Sequence, residues 1–349
     1  MKSKIRSLTI ISFVFISLTF DFHPTFAQTG WYWQNPIPQG NTLSGIHTFA
    51  KDSIILAGNV GTLLFSSNGG QDWEQRSMLS GKFNWLRSMQ FIEERTGFLV
   101  GDTILYKSID GGKSWSIIFH NDILSAFFIS GNTGHALSGD KVYRTFNGGN
   151  TWSEQTLSSS FALSKIGFAD SLRGWILGYG GTFFQTLDGG MTWTQSGLGN
   201  YWGYFGIYFL DRNIGWIVGE AAKIYKTTNG GVNWTEQHTG NNWEALDGIY
   251  FKNQQSGWAW GPDLFLYTTN GGTTWSAQSK PVREDINAMQ FADSTTGWAI
   301  GSNGVILKSS DGGSHWIQQS TTVSAFRINA TDWVSDQEGW VSGYNVTAT

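Results

Sequence analysis

The sequence contains no cysteine, which excludes disulfide bonds, thiolate nucleophiles and cysteine-ligated metal sites. It also excludes a bacterial lipoprotein, because the lipid is attached to a cysteine. Proline is scarce, with 5 residues in 349, and charged residues make up only 14% of the chain. The formal net charge of −4 provides no basic excess that could displace counterions from phosphates, so we expect no nucleic-acid partner.

Long apolar runs are also missing, apart from one near the start. Lys2, Lys4 and Arg6 precede the apolar stretch Leu8–Phe20, and Thr25-Phe26-Ala27 has the small residues of a cleavage site before Gln28. As a helix this stretch would span only ~20 Å, which is short of a bilayer core of ~30 Å. We therefore predict a signal peptide over residues 1–27, cleaved near Ala27, and a soluble mature protein that is secreted, periplasmic or displayed at the cell surface.

Glycine and aromatic residues are abundant instead: there are 45 glycines and 19 tryptophans. The pattern Ser/Thr-x-Asp/Asn-Gly-Gly-x-x-Trp occurs seven times, and its tryptophans are spaced by 42, 37 and then four times 41 residues. The Asp/Asn and Trp of the seven copies are Asn68 with Trp73, Asp110 with Trp115, Asn147 with Trp152, Asp188 with Trp193, Asn229 with Trp234, Asn270 with Trp275 and Asp311 with Trp316. Seven copies in phase indicate a repeat architecture.

Each repeat unit has the pattern of four short strands. A glycine-aromatic motif such as Gly215-Trp216-Ile217-Val218-Gly219 forms the second strand, and the glycine-pair motif separates the third from the fourth. Short strands with frequent turns, repeated every 40 to 45 residues, are typical of propeller blades. The predicted units are 43–75, 84–118, 124–155, 162–195, 204–237, 245–278 and 286–319, with a further unit at 326–349.

The fixed residues of the motif have architectural roles in this interpretation. The Asp or Asn side chain accepts hydrogen bonds from backbone N–H groups two residues on, and the glycines permit positive φ. The tryptophan starts the outer strand, where it covers the turn and fills the gap between blades.

These residues resemble the Asp-box, or bacterial neuraminidase repeat, propellers. The added Gly-Trp-x-x-Gly motif is most similar to the repeats of photosystem II assembly-factor-like propellers found in secreted bacterial proteins. The resemblance implies a single all-β propeller, and it says little about function, because the fold hosts many activities.

The number of blades depends on the two ends of the chain. Trp31-Tyr32-Trp33-Gln34 has the pattern of an outer strand, whereas Phe326–Trp333 and Gly339–Gly343 have the pattern of first and second strands. Pairing the two ends in one composite blade predicts eight blades in a closed ring, residues 31–34 completing the unit at 326–349. Seven blades is the alternative. The incomplete last unit also suggests that a longer protein has been truncated.

Candidate binding residues lie where the repeat breaks down, in the connections from each outer strand to the next inner strand. These connections share the propeller face opposite the Asp-box turns, and variable loops on a rigid scaffold often carry binding sites. The alternative is that the aromatic residues there pack between blades. The candidates are Trp85 and Arg87; Tyr201, Trp202 and Tyr204; Trp243, Glu244 and Asp247; and Arg283, Glu284 and Asp285.

Enzymatic alternatives find little support in the sequence. The six histidines are dispersed with no metal-ligand spacing, and His135 occupies the position of a packed aromatic residue. The resemblance to sialidases implies an arginine cluster that begins in a Phe-Arg-Ile-Pro motif, and Phe326-Arg327-Ile328-Asn329 departs from it in place and in the proline. Arg327 is therefore only a candidate ligand-binding residue. Xyloglucanases use two aspartates between two propellers, and this chain has length for one.

We therefore expect an exported, monomeric, non-enzymatic propeller that binds a protein or a glycan, without a cofactor or metal. A glycoside hydrolase and a structural module of a larger cell-surface protein are the alternatives.

Overall fold

The computed structural model describes residues 41–77, 85–198, 201–237, 244–319, 326–333 and 339–345. This part of the chain forms seven four-stranded antiparallel sheets, each made of four consecutive strands, and one two-stranded hairpin. The predicted all-β propeller is therefore confirmed. None of the described residues forms a helix long and apolar enough to cross a membrane.

The strands take the same four positions in every sheet, from the innermost to the outermost. The innermost strands are β1 (Leu43–Ala50), β5 (Leu86–Phe91), β9 (Ser125–Phe128), β13 (Leu163–Phe168), β17 (Tyr204–Phe209), β21 (Gly248–Phe251) and β25 (Ile286–Phe291). The second strands are β2 (Ser53–Gly58), β6 (Gly97–Gly101), β10 (Gly134–Ser138), β14 (Gly174–Gly178), β18 (Gly215–Gly219), β22 (Gly257–Trp260) and β26 (Gly297–Gly301). The third strands are β3 (Thr62–Ser66), β7 (Ile104–Ser108), β11 (Lys141–Thr145), β15 (Phe183–Thr186), β19 (Ile224–Thr227), β23 (Phe265–Thr268) and β27 (Ile306–Ser309). The outermost strands are β4 (Glu74–Ser77), β8 (Ser116–His120), β12 (Ser153–Thr156), β16 (Thr194–Ser196), β20 (Thr235–Gln237), β24 (Ser276–Ala277) and β28 (Ile317–Gln318).

Short turns and one extra hairpin complete the fold. Single 3-10 turns at Asn59–Gly61, Glu220–Ala222 and Ser302–Gly304 join the second and third strands of blades 1, 5 and 7. The hairpin pairs β29 (Phe326–Trp333) with β30 (Gly339–Asn345), where the sequence predicted two strands.

A buried hydroxyl organises each Asp-box turn. In blade 5, Thr227 Oγ1 accepts the Gly231 N–H at 2.9 Å and donates to Asn229 Oδ1 at 3.0 Å. The hydroxyl residues of all seven boxes are at most 4% exposed; they are Ser66, Ser108, Thr145, Thr186, Thr227, Thr268 and Ser309. A buried hydroxyl needs partners, and here the turn itself supplies them.

The Asp/Asn side chain closes a wider loop than the sequence suggested. Asn229 Oδ1 accepts the N–H of Asn233, four residues on, at 3.0 Å, and the expected bond to the residue two positions on is replaced by the hydroxyl contact. The other boxes repeat this bond; for example, Asp188 Oδ1 accepts the Thr192 N–H at 2.9 Å. The first-position hydroxyl therefore takes the role that was predicted for the Asp/Asn side chain.

Stacked aromatic side chains join neighbouring blades. Trp175 of blade 4 stacks on Phe209 of blade 5 with 4.6 Å between ring centroids, and the box tryptophan Trp234 meets Phe209 edge-on at 5.9 Å. Such pairs contribute about 0.5–1.5 kcal/mol beyond their burial. Four other blade pairs repeat the set, with Phe98, Phe128 and Trp152; His135, Phe168 and Trp193; Trp216, Phe251 and Trp275; and Trp258, Phe291 and Trp316.

Cationic side chains add a second contact between blades. Lys226 Nζ of blade 5 donates to the box carbonyl of Gly271 in blade 6 at 2.7 Å, and it also lies 5.4 Å from the Trp216 ring centroid. Lys308 of blade 7 makes the equivalent bond to Gly69 of blade 1 at 2.6 Å.

The ring closes with seven blades, so the predicted eight-blade arrangement is wrong and its seven-blade alternative is confirmed. Trp298 and Ile300 of blade 7 share one buried cluster with Leu43 and Ile54 of blade 1. Asn287 Nδ2 also donates to the Leu43 carbonyl at 2.9 Å. This direct contact leaves no place for a composite blade between them. Trp31-Tyr32-Trp33-Gln34 lies outside the described residues.

Two glycines with positive φ test the importance of the interface between blades. A Cβ on Gly231 (φ +77) would lie 2.1 Å from Cζ2 of Trp175, whereas a Cβ on Gly139 (φ +58) would meet nothing within 4 Å. We expect Gly139→Ala to cost about 1 kcal/mol of unfolding free energy through its backbone conformation. Gly231→Ala should cost about 3 kcal/mol or more, because the Trp175 stack must also move. Urea unfolding of the two variants measures the difference, and equal losses would contradict this account.

Candidate binding face

The two faces of the ring are built differently. The first glycine of each box donates its N–H to the turn between the first and second strands; for example, Gly230 N donates to Asn213 O at 2.8 Å. The Asp-box turns and these turns therefore form one hydrogen-bonded face. The connections between blades lie at the opposite face, here called the loop face, where the innermost strands begin.

The innermost strands converge at the loop face, and the residues at their starts occupy repeated positions. In blades 3 and 6 the first two of these positions come just before the strand itself. The first position is apolar or aromatic, with Leu43, Leu86, Ile123, Leu163, Tyr204, Leu246 and Ile286 in blades 1 to 7. The second position holds Ser44, Arg87, Leu124, Ser164, Phe205, Asp247 and Asn287. In five blades the pairing with the second strand is interrupted here, as between Leu86 and Ser88. Such bulges redirect a side chain, in this case the variable one.

The second-position side chains surround a cavity of about 330 Å³, here called the channel mouth. Its lining includes Ser44, Arg87, Leu124, Asp247 and Asn287 from the second position, together with Lys165 from the third position of blade 4. Trp85 and Trp260 add aromatic surface. The cavity has the size and the mixed lining of a small-ligand site.

The charges of the channel mouth are not paired with one another. Arg87 and Lys165 belong to blades 2 and 4, whereas Asp247 belongs to blade 6, and within the described part of the chain none of the three side chains makes an ion pair or hydrogen bond. Burial lowers the pKa of Lys165. Burial, and then the neighbouring Asp285, raise the pKa of Asp247. Both shifts reflect charges that lack a compensating partner.

A second feature of the loop face is a group of aromatic side chains on blades 4 and 5, here called the aromatic patch: Phe161, Tyr179, Tyr201, Trp202 and Phe205. Tyr201 is 88% exposed, and Phe161, Tyr179 and Trp202 are also exposed. The Tyr179 and Phe205 rings lie 5.1 Å apart, and Phe161 covers the Cα of Gly180. Gly181 N donates to Trp202 O at 2.9 Å, which holds the two loops together.

The predicted site residues fall into three groups. Trp85, Arg87 and Asp247 line the channel mouth, and Tyr201 and Trp202 belong to the aromatic patch. Because Trp85 is 57% exposed, it does not pack between blades. The remaining described candidates lie in loops next to the channel mouth; they are Glu244, Arg283, Glu284 and Asp285, of which Arg283 is exposed. The side chains of Trp243 and Arg327 lie outside the described part of the structure.

The structure corrects the prediction that Tyr204 is a binding residue. It is completely buried, with its ring 6.3 Å from that of Phe183 and 6.1 Å from that of Tyr225. Its place at the apolar first position of an innermost strand explains the burial. Tyr204 therefore belongs to the core, although it is close in sequence to the exposed Tyr201 and Trp202.

Lys165, Phe161, Tyr179 and Phe205 were missed by the sequence reasoning. A signal for Lys165 was present in the repeat: the third position of the innermost strand is small in the other six blades, with Gly45, Ser88, Ser125, Gly206, Gly248 and Ala288. Phe161 and Tyr179 come from different turns, so only the fold brings them together.

The ionisable groups of the scaffold have structural environments. Hydrogen bonds from the side chain and backbone of Thr192 lower the pKa of Asp188 to about 2, and those from His315 lower the pKa of Asp311 to about 2. A carboxyl group with such a pKa is a poor general acid near neutral pH. Among the described residues, no three potential metal ligands form a group.

His135 is packed as an aromatic residue, as the sequence predicted. It is fully buried and stacks on Phe168 at 4.5 Å, and its Nε2 lies 3.1 Å from the Gly189 carbonyl oxygen. Burial lowers its pKa to about 4 against an ordinary value of 6.5. Burial also lowers the pKa of His47 to about 4.

We expect His135 to make the fold sensitive to acid. Between pH 6.5 and about 4 the histidine is protonated in the unfolded chain but stays neutral in the folded protein. The free energy of unfolding is therefore at its full value above pH 6.5 and decreases as the pH falls toward 4. Across this range the unfolding free energy of His135→Phe should decrease by about 3 kcal/mol less than that of the wild type, because only the contribution of His47 remains. Unfolding free energy at several pH values measures this, with His120→Phe at an exposed site as control. An unchanged pH slope would rule out the assigned role of His135.

Comparisons with known proteins agree with this fold. The family model of the photosynthesis system II assembly factor YCF48 matches residues 201–280 and 275–346. A search of curated protein sequences finds no match.

Solved structures of other propellers superpose on the chain. YCF48 bound to a D1 peptide has a TM-score of 0.64 and 19% identity, covering 79% of this chain and 95% of that one. YCF48 from Cyanidioschyzon merolae has a TM-score of 0.65 and 20% identity, covering 78% and 97%. An ancestral GH74 enzyme has a TM-score of 0.64 and 15% identity, covering 91% of this chain and 51% of that one.

At these identities the structural likeness concerns the fold alone. The seven hydrogen-bonded boxes show that the chain is an Asp-box β-propeller. The match to the family model shows that its repeats are similar to those of the photosynthesis system II assembly factor YCF48.

Proposed function

We propose that this propeller is a non-enzymatic binding module that holds a peptide segment of a partner protein on the aromatic patch. The observation that supports this most directly is the exposure of Tyr201 and Trp202 in a fold that buries most of its other aromatic residues between blades. Aromatic side chains that are already ordered give large contact area at low entropic cost, and they are common among residues that dominate binding.

The neighbouring contacts support a preorganised surface. Phe161 lies over Gly180, Tyr179 contacts Phe205, and the backbone of Trp202 is bonded to Gly181. Because Glu220 Oε2 also accepts the Gly203 N–H at 2.9 Å, the loop that carries Tyr201 and Trp202 is anchored on blade 5. A similar propeller, YCF48, has been solved with a D1 peptide, which makes a peptide a reasonable class of ligand for this chain as well.

A glycan is the alternative ligand, because the faces of sugar rings also stack on exposed aromatic rings. The five side chains of the aromatic patch carry only two phenol hydroxyls and one indole N–H between them, and none is charged or carries an amide. This composition favours the peptide, since sugars present many hydroxyls that require polar partners.

We expect Tyr201→Ala combined with Trp202→Ala to weaken peptide capture. A random peptide display library is panned against the folded protein, and the affinity of the enriched peptides is measured for each variant. Loss of two exposed anchors should weaken binding at least tenfold, since each anchor of this kind contributes about 1 kcal/mol or more. Circular dichroism verifies the fold of the double variant.

A control and an opposite outcome make the test specific. Leu187→Ala removes a 65% exposed apolar side chain from the Asp-box face and should leave peptide affinity unchanged. Equal affinity of the patch variant and the wild type would exclude the aromatic patch, and glycan-array binding without peptide enrichment would favour the sugar ligand.

We also propose that residues 1–27 direct export, so that the propeller acts outside the cytoplasm. Expression of the full chain in a bacterial host should yield a processed protein whose N-terminal sequence begins at Gln28. Phe15→Arg places a charge in the apolar stretch and should block processing, whereas Phe22→Arg lies after that stretch and should not. An unprocessed wild-type chain retained in the cytoplasm would contradict the proposal.

A further inference from the structure

The channel mouth differs from the aromatic patch in chemistry. Its lining carries charges of both signs: Arg87 and Lys165 on blades 2 and 4, and Asp247 on blade 6. Asp285 on blade 7 lies close enough to Asp247 to act on its ionisation. The cationic and the anionic side chains therefore occupy separate arcs of one ring.

Opposite charges that line one cavity normally pair when they can reach each other. Here no ion pair joins them, and within the described part of the chain Lys165 has no hydrogen-bond partner. Arg87 and Asp247 are exposed to the open cavity, whereas Lys165 is half-buried. Partial burial of a charge without a partner is costly, and the positions equivalent to Lys165 in the other blades avoid that cost with glycine, serine or alanine. The cavity keeps the opposite charges apart. A ligand bound in the cavity can pair with both.

The balance of charge limits what this occupant can be. A simple anion attracted by Arg87 and Lys165 would be repelled by Asp247 and Asp285. A simple cation attracted by the two aspartates would be repelled by the arginine and the lysine. A ligand with a carboxylate at one end and an ammonium group at the other gains on both sides. A cavity of about 330 Å³ accommodates a molecule of the size of an amino acid or a short peptide.

We propose that the channel mouth is a binding site for a small zwitterion, a free amino acid or a short peptide, with its carboxylate at Arg87 and Lys165 and its ammonium group at Asp247. The indole rings of Trp85 and Trp260 and the side chains of Leu124 and Ile286 surround the uncharged part of the ligand. This site is separate from the aromatic patch, and its test does not depend on the proposed function.

Triglycine and its blocked forms provide the probe. Triglycine carries both terminal charges, N-acetyl-triglycine carries only the carboxylate, triglycine amide carries only the ammonium group, and N-acetyl-triglycine amide carries neither. Each is titrated to millimolar concentrations into the folded protein while the indole N–H resonances are followed by NMR. We expect triglycine to shift the signals of Trp85 and Trp260 and to bind roughly tenfold or more tightly than each blocked form.

Variants assign the two ends of the ligand. Lys165→Met should reduce the advantage that the free carboxylate confers and leave that of the ammonium group unchanged, whereas Asp247→Asn should reduce the advantage of the free ammonium group and leave that of the carboxylate unchanged. Because Lys165 has no partner, its loss should not unfold the protein, and thermal unfolding verifies this. Lys113→Met and Glu93→Gln remove exposed charges elsewhere and should change nothing. Equal shifts from all four peptides, or no shift from triglycine, would overturn the proposal.

Discussion

The space between neighbouring blades is the constraint on which this fold depends. Most blades present an aromatic or aliphatic side chain from the second strand, and the next blade receives it against a box glycine; blade 2 instead presents Ile118 of its outermost strand to Gly149. At Gly231 the indole of Trp175 occupies the volume that any side chain would need. The buried hydroxyl of Thr227 then fixes the glycine pair in its positive-φ conformation. One turn therefore satisfies a backbone requirement and a packing requirement together.

Closure of the ring follows from the same contacts. In the described ranges every blade is made of consecutive strands, and no strand there passes from the last blade to the first. Their junction relies on side chains instead: Trp298 enters the core of blade 1, and Lys308 bonds to the box carbonyl of Gly69. Because the junction uses the contacts found between other blades, seven repeats are sufficient to close the ring.

The fold could be predicted well from the sequence because each structurally required residue recurs at the same position in seven repeats. The four strands, the box turn and the packed role of His135 all followed from position within the repeat. Blade number was harder, because Trp31 and the strand at Phe326–Trp333 match the repeat pattern, and pattern alone does not show that blade 7 contacts blade 1. Tyr204 was misplaced for a similar reason: an aromatic residue at a loop boundary can face either the core or solvent. Lys165 was recoverable, since it is the one large side chain at a position that is otherwise small.

Stability and binding are carried by different positions of the same strands. The first position of each innermost strand is buried, and the box face is occupied by its own hydrogen bonds. The second and third positions contribute less to the core, so their side chains can vary without loss of the ring. A bulge at Arg87 or Asn287 turns these side chains toward the channel, and a charge that is also partly buried there, as at Lys165, costs stability unless something outside the repeat compensates it. Lys165 shows this most clearly, because a serine or glycine there would satisfy the fold at lower cost. Its presence is better explained by a ligand in the channel than by the architecture.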